Sequence, residues 1–150
     1  EMLACNNLGV RYHRGEGVVR DMDRAVSLYQ QACDGGAMPG CINLANRYVS
    51  GGTRNLVRAA EFHEQVCNGG VMRGCTSLGS MYRVGGGVSQ DFSRAADLYE
   101  QACDGGDMRG CTNLGNMYQA GEGITRDLSR ASSLYERACD SGWEPACIRQ

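Results

Sequence analysis

The sequence contains no lysine, because all fifteen of its basic residues are arginine. Phosphate-binding loops of the GxxxxGK[ST] type and the S-x-x-K motif of serine β-lactamases both require a lysine. The glycine-rich run GEGVVRD at residues 15–21 therefore does not form a phosphate loop, and its glycines indicate a turn that needs a positive φ angle. The absence of lysine excludes both kinds of site.

Histidine is almost as scarce, since His13 and His63 are the only two and lie about fifty positions apart. A catalytic zinc site needs several histidine, cysteine or carboxylate ligands that converge on one metal ion. Two distant histidines do not supply such a site, and we interpret both as structural or exposed. We expect the protein to use no metal and no cofactor.

Long apolar runs are missing too, because no stretch approaches the roughly 20 apolar residues that a membrane-spanning helix requires. The charge is nearly balanced, with fifteen basic and seventeen acidic residues and a net charge of -2. A balance of this kind gives no argument for a polyanionic partner. We expect neither a membrane span nor binding to nucleic acid.

Cysteine, in contrast, is abundant, with nine residues in a chain of 150. This content is high for a protein of the reducing cytosol and indicates a compartment that permits disulfides. The cysteines also repeat, in two series. The first series has spacings of 36, 34, 36 and 36 residues and consists of Cys5, Cys41, Cys75, Cys111 and Cys147. The second has spacings of 34, 36 and 36 residues and consists of Cys33, Cys67, Cys103 and Cys139.

Periods in the thirties are typical of stacked supersecondary units that are each too small to bury their own apolar face. We therefore predict one repeat domain over residues 1–150. Its units are 5–40, 41–74, 75–110 and 111–146, and residues 147–150 open a fifth. The first residues, EMLACNNLGVRY, read as the middle of a helix, and Cys5 lacks the partner that the period would place before residue 1. We expect the sequence to be a fragment from which a targeting segment and a first repeat are missing.

Each unit carries two stripes of residues at the 3.6-residue spacing of an α-helix, so the chain is predicted to be all α. In the fourth unit, helix A shows Cys111, Leu114, Gly115 and Tyr118, and helix B shows Leu128, Ala131, Leu134, Tyr135 and Ala138. The equivalent leucines Leu8, Leu44 and Leu78, and the repeated tyrosines, stand at core spacing. We expect the tyrosine hydroxyls to reach backbone carbonyls.

Capping residues mark both ends of helix B. An aspartate before the helix can accept hydrogen bonds from the free backbone N–H groups of its first turn, and the residues at this position are Asp21, Asp91 and Asp127. Glycines after the helix suit the left-handed residue that ends it, at Gly35, Gly69 and Gly105. The only prolines, Pro39 and Pro145, share one register position in the first turn of helix A.

Within the phrase QACDGGAMPGC, at residues 31–41, two cysteines lie eight positions apart. On one continuous helix their Cα atoms would be about 12 Å apart, whereas a disulfide needs less than about 7 Å. A reversal of the chain at DGG would let the pairs close as disulfides. Zinc binding is the alternative, although zinc sites favour shorter spacings that converge in fours. The pairs are Cys33 with Cys41, Cys67 with Cys75, Cys103 with Cys111 and Cys139 with Cys147.

The unit A-C-x-N-L-G-x-x-Y-x-x-G-x-G-V-x-x-D-x-x-R-A-x-x-L-Y-x-x-A-C-x-x-G resembles the Sel-1-like repeat, a relative of the tetratricopeptide repeat. The seven-residue gap inside each cysteine pair resembles the branch known from the Helicobacter cysteine-rich proteins. The resemblance covers essentially the whole chain. It implies a right-handed superhelix of disulfide-stapled αα-hairpins with the A helices on the concave side. It also implies a periplasmic or secreted protein, with the mitochondrial intermembrane space as the alternative.

The second unit departs from this pattern. Ala45 replaces the usual glycine, Asn55 replaces aspartate, and His63 replaces a core tyrosine. Its turn between helix A and helix B is two residues shorter. We expect this unit to keep both helices and to tighten the loop.

The face of helix A opposite the cysteines is polar and largely uncharged. Asparagine favours helices less than alanine or glutamate does, and its amide both donates and accepts hydrogen bonds, so a row of asparagines can bind the backbone of an extended peptide. Arg11, Arg47 and Arg83 lie near this surface and can add bonds to a carboxylate. Alternatively, the asparagines face solvent or bond to the neighbouring repeat. The candidate binding residues are Asn7, Asn43, Asn46, Arg47, Ser77, Ser80, Asn113 and Asn116.

We therefore predict a non-enzymatic interaction scaffold that binds a protein or an extended peptide on the A-helix face, and we expect it to act as a monomer. The alternative comes from the resemblance, because some cysteine-rich relatives are described as penicillin-binding or β-lactamase proteins. It would make this chain a β-lactam-binding protein or a β-lactamase-like hydrolase of the periplasm. The sequence supplies no lysine for the serine mechanism of such an enzyme.

Overall fold

The computed structural model describes residues 1–51 and 54–148. Within these ranges the regular structure is entirely α-helical, and eight of the helices have the same length of 13 residues. The helices are α1 (Met2–Arg14), α2 (Met22–Asp34), α3 (Met38–Ser50), α4 (Leu56–Asn68), α5 (Met72–Val84), α6 (Phe92–Asp104), α7 (Met108–Ala120), α8 (Leu128–Asp140) and α9 (Glu144–Cys147).

The helices form a solenoid in which each helix packs mainly against its neighbours in the chain. The odd-numbered helices α1, α3, α5 and α7 are the predicted A helices, and the even-numbered helices are the B helices. The A helices α1 and α3, and likewise α5 and α7, also contact each other directly. Each A helix begins three residues before the cysteine at which the sequence pattern opens a unit. The predicted all-α solenoid of αα-hairpins is confirmed.

Four disulfides join each B helix to the A helix that follows it. They are Cys33–Cys41, Cys67–Cys75, Cys103–Cys111 and Cys139–Cys147, with Cα atoms 4.7, 4.6, 4.6 and 4.9 Å apart. The chain reverses between the two cysteines of each pair, as the geometric argument requires. Cys5 is a free, half-buried thiol. The disulfide-stapled arrangement is thereby confirmed.

Helix B begins as its cap residues predict. The side chain of Asp21 accepts a hydrogen bond from the backbone N–H of Arg24 at 2.9 Å, and Asp91 and Asp127 make the equivalent bond. Asn55, which replaces aspartate in the second unit, caps α4 in the same way at 3.1 Å. A cap of this type stabilises a helix by about 1 kcal/mol. The second unit therefore keeps both of its helices, whereas its shortened loop includes residues 52 and 53, which lie outside the described residues.

The left-handed residue that follows helix B comes one residue later than predicted. The first glycine of each pair was expected in the left-handed region, but Gly35 has φ −82° and its N–H still donates to the carbonyl of Gln31. The second glycine, Gly36, takes the left-handed conformation with φ 84°, and Gly70 and Gly106 do the same at the equivalent positions. The prediction for Gly35, Gly69 and Gly105 is therefore wrong, because the last helical hydrogen bond includes the first glycine.

The leucines of helix A fill the core between units. Leu44, Leu78 and Leu114 are buried. Leu8, which stands at the same register position in α1, is 39% exposed, because no helix in the described ranges covers that side of α1. The core prediction is confirmed for three of these four leucines.

The tyrosine hydroxyls bond to side chains rather than to backbone carbonyls, so that expectation is wrong. On helix A, the hydroxyls of Tyr12, Tyr48 and Tyr118 accept hydrogen bonds from Arg24, Arg58 and Arg130 at 3.1, 3.3 and 2.9 Å. Each of these arginines also lies over the ring of its tyrosine. Helical N–H groups already occupy the backbone carbonyls, so the hydroxyls find partners on the adjacent helix.

Candidate functional site

Two adjoining grooves lie along the A-helix face. The first lies between α1 and α3 and encloses about 290 Å³, and the second lies between α3 and α5 and encloses about 340 Å³. Asn46 lines both grooves, so they meet at the middle of α3. The candidate residues at the first groove are Asn43, Asn46 and Arg47, and those at the second are Asn46, Ser77 and Ser80.

The other three candidate residues lie outside these two grooves. Asn7 is exposed on α1, whereas Asn113 and Asn116 are half-buried on α7. The structure therefore groups the predicted binding residues of the second and third units and leaves Asn7 and those of α7 apart. Whether any of these residues binds a peptide stays a prediction.

Several side chains of the predicted ladder already have partners inside the protein. Asn43 donates from Nδ2 to Oδ1 of Asn6 at 2.9 Å, which links α3 to α1. Asn116 accepts a hydrogen bond from the hydroxyl of Tyr135 at 2.8 Å. These contacts bear out the alternative for Asn43, which bonds to the neighbouring repeat. A variant of Asn43 would therefore change stability as well as binding.

Asn46 and Ser77 are different, because no hydrogen bond of their side chains to the described part of the chain is present. Asn46 is exposed and Ser77 is half-buried at the second groove. Their amide and hydroxyl groups are thus available to a ligand that lies across α3 and α5. Asn46 is the better probe of binding, since its side chain holds no other element in place.

Of the three arginines expected near this surface, only Arg47 lines a groove. Its Nε is buried and has no hydrogen-bond partner among the described residues. Arg83 bonds to Glu122 at 3.2 Å, and Nε of Arg11 donates to the carbonyl of Glu16 at 3.2 Å. Both of these guanidinium groups are therefore committed to contacts within the protein.

The second groove is lined by His63, one of the two residues of the core at which the second unit departs from the repeat. In the other units a buried tyrosine of helix B lies against a glycine of helix A, as Tyr99 does against Gly79. A Cβ added at Gly79 would stand only 2.8 Å from the Tyr99 ring. Because Ala45 supplies such a Cβ in the second unit, the smaller His63 takes the place of tyrosine.

His63 is 8% exposed, lines the second groove, and makes no hydrogen bond to the described residues. Burial lowers the pKa of His63 below its ordinary value of 6.5, and the nearby positive charge of Arg73 lowers it further. The imidazole is therefore neutral at pH 7. The place of His63 in this groove was not predicted, although Ala45 and His63 signal it by departing together from the repeat.

The lowered pKa of His63 makes the free energy of unfolding depend on pH. The unfolded chain takes up the proton of His63 near pH 6.5, whereas the folded chain takes it up only at a lower pH, so protons favour unfolding. We expect the free energy of unfolding to fall as the pH drops from 7.5 to 5.5, with a slope of at most about 1.4 kcal/mol per pH unit. Urea unfolding followed by circular dichroism at several pH values measures this.

Two variants isolate the contribution of His63. His63→Gln should flatten the pH dependence in this window, and His13→Gln, which removes the other histidine, should leave the His63 contribution in place. The carboxyl of Asp107 does not contribute to the pH dependence in this window. Burial alone would raise its pKa, but hydrogen bonds from Arg109 and Thr76 outweigh burial and lower the pKa below 3.8. An unchanged slope in His63→Gln would contradict the assignment.

The positive charges at the second groove are not equivalent. Arg109 forms two hydrogen bonds with Asp107, from Nε at 3.0 Å and from Nη2 at 2.7 Å. Asp107 also accepts a hydrogen bond from Thr76 at 2.8 Å, which ties α5 to the start of α7. Arg73 holds the same register position one unit earlier, where Val71 replaces the aspartate. Its guanidinium forms no ion pair with the described residues.

A family model described as Sel1 repeat matches four segments of the chain, at residues 3–36, 39–71, 73–107 and 109–143. The chain belongs to the Sel1 repeat family. Among solved structures, cysteine-rich protein B of Helicobacter pylori is 32% identical with a TM-score of 0.70, over 89% of this chain and 98% of that one. No curated protein sequence matches the chain.

Two longer Sel1 repeat structures superpose more closely. A protective antigen of uropathogenic Escherichia coli strains has a TM-score of 0.89 at 25% identity, over 97% of this chain and 32% of that one. A Sel1 repeat protein from Oxalobacter formigenes has a TM-score of 0.88 at 25% identity, over 97% of this chain and 59% of that one. The chain thus spans about a third and about three fifths of these two proteins.

Two further features of this Sel1 repeat chain concern metals and membranes. Over residues 1–51 and 54–148, no three or more histidine, cysteine or acidic side chains cluster in a way that could hold a metal ion. None of the helices in the described ranges has the length and apolar character needed to cross a bilayer.

Proposed function

We propose that this Sel1 repeat protein is an interaction scaffold that binds an extended peptide segment of a partner protein in the two grooves of its A-helix face. The observation that carries the proposal is the meeting of both grooves at Asn46, whose exposed amide makes no side-chain hydrogen bond to the described residues. A peptide backbone laid along these grooves finds amide and hydroxyl partners on two successive A helices, α3 and α5.

Apolar side chains give such a ligand a surface to bury. The second groove is lined by Ile42, Val49, Val66 and Met81 beneath its polar rim. Pockets that bind ligands combine an apolar lining with a few polar groups that fix orientation. The family supports the same conclusion, because Sel1 repeats generally mediate interactions between proteins.

The four disulfides favour a site of action outside the reducing cytosol. Similarity to a cysteine-rich Helicobacter protein agrees with this placement. We propose a periplasmic or secreted location, with the mitochondrial intermembrane space as the alternative. No contact in either groove favours the hydrolase alternative over binding.

Asn46→Ala should weaken peptide binding about tenfold without lowering the melting temperature, because alanine favours the helix more than asparagine does. An amide that makes two hydrogen bonds to a peptide backbone contributes on the order of 1–1.5 kcal/mol, which corresponds to that factor. The probe is a random linear dodecapeptide library displayed on phage and selected on the intact protein. Fluorescence anisotropy with the selected peptides then gives the dissociation constants of each variant.

The matched control is Asn68→Ala, because Asn68 is an exposed asparagine at the end of α4 and lines neither groove. This variant should bind the selected peptides as the native chain does. The proposal fails if no peptide is enriched, or if Asn46→Ala and Asn68→Ala bind equally well.

A further inference from the structure

The two grooves hold the same register position in successive units, but His63 lines the second groove where Tyr29 lines the first. Tyr29, Tyr99 and Tyr135 each occupy the space between a B helix and an A helix, and their hydroxyls reach His13, Ser80 and Asn116 across it. In the second unit the shorter side chain of His63 takes this position and lines the open volume of about 340 Å³. The paired change to Ala45 and His63 therefore replaces a tyrosine hydroxyl that is bonded to another side chain with an imidazole that makes no hydrogen bond to the described residues.

An unpaired cation lies at the rim of this cavity. Arg73 is exposed and lines the groove, and its register equivalent Arg109 is held by Asp107. Because Val71 stands where that aspartate would be, nothing in the described part of the chain neutralises Arg73. Of these two arginines, Arg73 is the one whose guanidinium group is free of ion pairs within the described residues and can bind a ligand.

A buried donor lies beneath that cation. His63 is less than one-tenth exposed, and its ring nitrogens have no hydrogen-bond partner within residues 1–51 and 54–148. The ring nitrogens are not fully enclosed, so a ligand in the groove can accept a hydrogen bond from the imidazole. The hydroxyl of Ser77 stands in the same groove without a hydrogen bond of its own to the described residues.

We propose that the cavity between α3 and α5 binds the carboxylate of a single peptide residue, with Arg73 as the ion-pair partner and His63 as a hydrogen-bond donor. The proposal rests on the peptide-binding function proposed above and names the chemistry of one subsite. The carboxylate comes either from the C-terminus of the peptide or from an aspartate or glutamate side chain.

The charge of the site selects a carboxylate rather than a dianion. Arg109 is balanced by Asp107, and the buried imidazole of His63 is neutral at pH 7, so Arg73 contributes the one uncompensated charge. A guanidinium and a carboxylate match in charge and form parallel hydrogen bonds. The apolar lining from Val66 and Met81 gives room for the adjoining side chain of the same residue.

Nuclear magnetic resonance titration of the intact protein tests this subsite directly. The probes are N-acetyl-leucine for a C-terminal carboxylate, N-acetyl-aspartate N-methylamide for an acidic side chain, and N-acetyl-leucinamide, which has no carboxylate. We expect one or both carboxylate probes to shift the ring resonances of His63 and the Nε–Hε resonance of Arg73. The amide probe should bind at least tenfold more weakly.

Arg73→Gln should weaken carboxylate binding about ten- to one-hundredfold, and Arg126→Gln, a change at an exposed arginine outside the groove, should leave it unchanged. The double variant Ala45→Gly, His63→Tyr should weaken binding, because it removes the imidazole donor and narrows the groove. If that variant does not fold, Arg73→Gln still decides the question, since Arg73 holds no other residue in place.

The proposal is overturned if the carboxylate probes cause no shifts, if Arg73→Gln binds them as the native chain does, or if the amide binds equally. Tighter binding of inorganic phosphate than of the carboxylates would also overturn it. These failures are separate from failure of the scaffold function. Peptides that depend on Asn46 but on neither Arg73 nor a carboxylate would refute the subsite alone.

Discussion

Replacing Cys67 and Cys75 together with alanine is expected to lower the free energy of unfolding by about 2.5 kcal/mol through the loss of loop closure alone. The two cysteines close a short loop between α4 and α5, with Cα atoms 4.6 Å apart. Both are buried, at 3% and 0% exposure, so the loss of packed sulfur adds to the total. Urea unfolding followed by circular dichroism measures the change.

The position of this disulfide makes its effect large. In a solenoid each helix depends on its immediate neighbours, and distant units do not compensate for a weak junction. The α4–α5 junction joins the first two hairpins to the last two. A loss of about 2.5 kcal/mol there is a substantial part of the 5–15 kcal/mol that typically stabilises a domain.

Alanine at Cys139 and Cys147 is the matched control. This pair closes a loop of the same length, but Cys147 is exposed and its partner helix α9 has only four residues. The entropic contribution should be similar and the packing contribution smaller, so the control should lose less stability than the central pair. An equal loss from the two pairs, or no loss from either, would contradict this account.

The repeat and the disulfides could be predicted from the sequence because their signals are local. Cysteine spacing, the Asp caps and the prolines each act through neighbouring residues of the chain, and the structure places Asp21 and Pro39 as expected. The left-handed residue after helix B was placed one residue early at Gly35, because either glycine of the pair can take a left-handed φ. The hydrogen bond from Gly35 to Gln31 decides between them.

Contacts between units were harder to predict. The bond between Asn43 and Asn6 and the bond between Asp107 and Thr76 join residues more than thirty positions apart. Their formation depends on how one hairpin is rotated against the next, which the pattern within a unit does not specify. The pair of Arg109 with Asp107, in contrast, joins residues two positions apart, so Val71 in place of that aspartate beside Arg73 is a signal that the sequence carries.

The pairing of Ala45 with His63 predicts a second large effect in the third unit. Gly79→Ala places a Cβ about 2.8 Å from the Tyr99 ring, and overpacking of this kind costs about 1–3 kcal/mol. Alanine is the better helix former by about 1 kcal/mol, which offsets part of the cost. We expect a net loss of up to about 2 kcal/mol in the free energy of unfolding, measured in urea.

In a Tyr99→His background the same change should reverse its sign. The smaller ring removes the collision, so only the gain in helix propensity remains, and Gly79→Ala should then stabilise the protein by up to about 1 kcal/mol. Ala45→Gly is the matched control in the second unit, where His63 already leaves room. It should destabilise by about 1 kcal/mol, the cost of glycine in a helix. If Gly79→Ala has the same effect beside tyrosine and beside histidine, ring size does not select the residue on helix A. The cavity beside His63 would then need another cause.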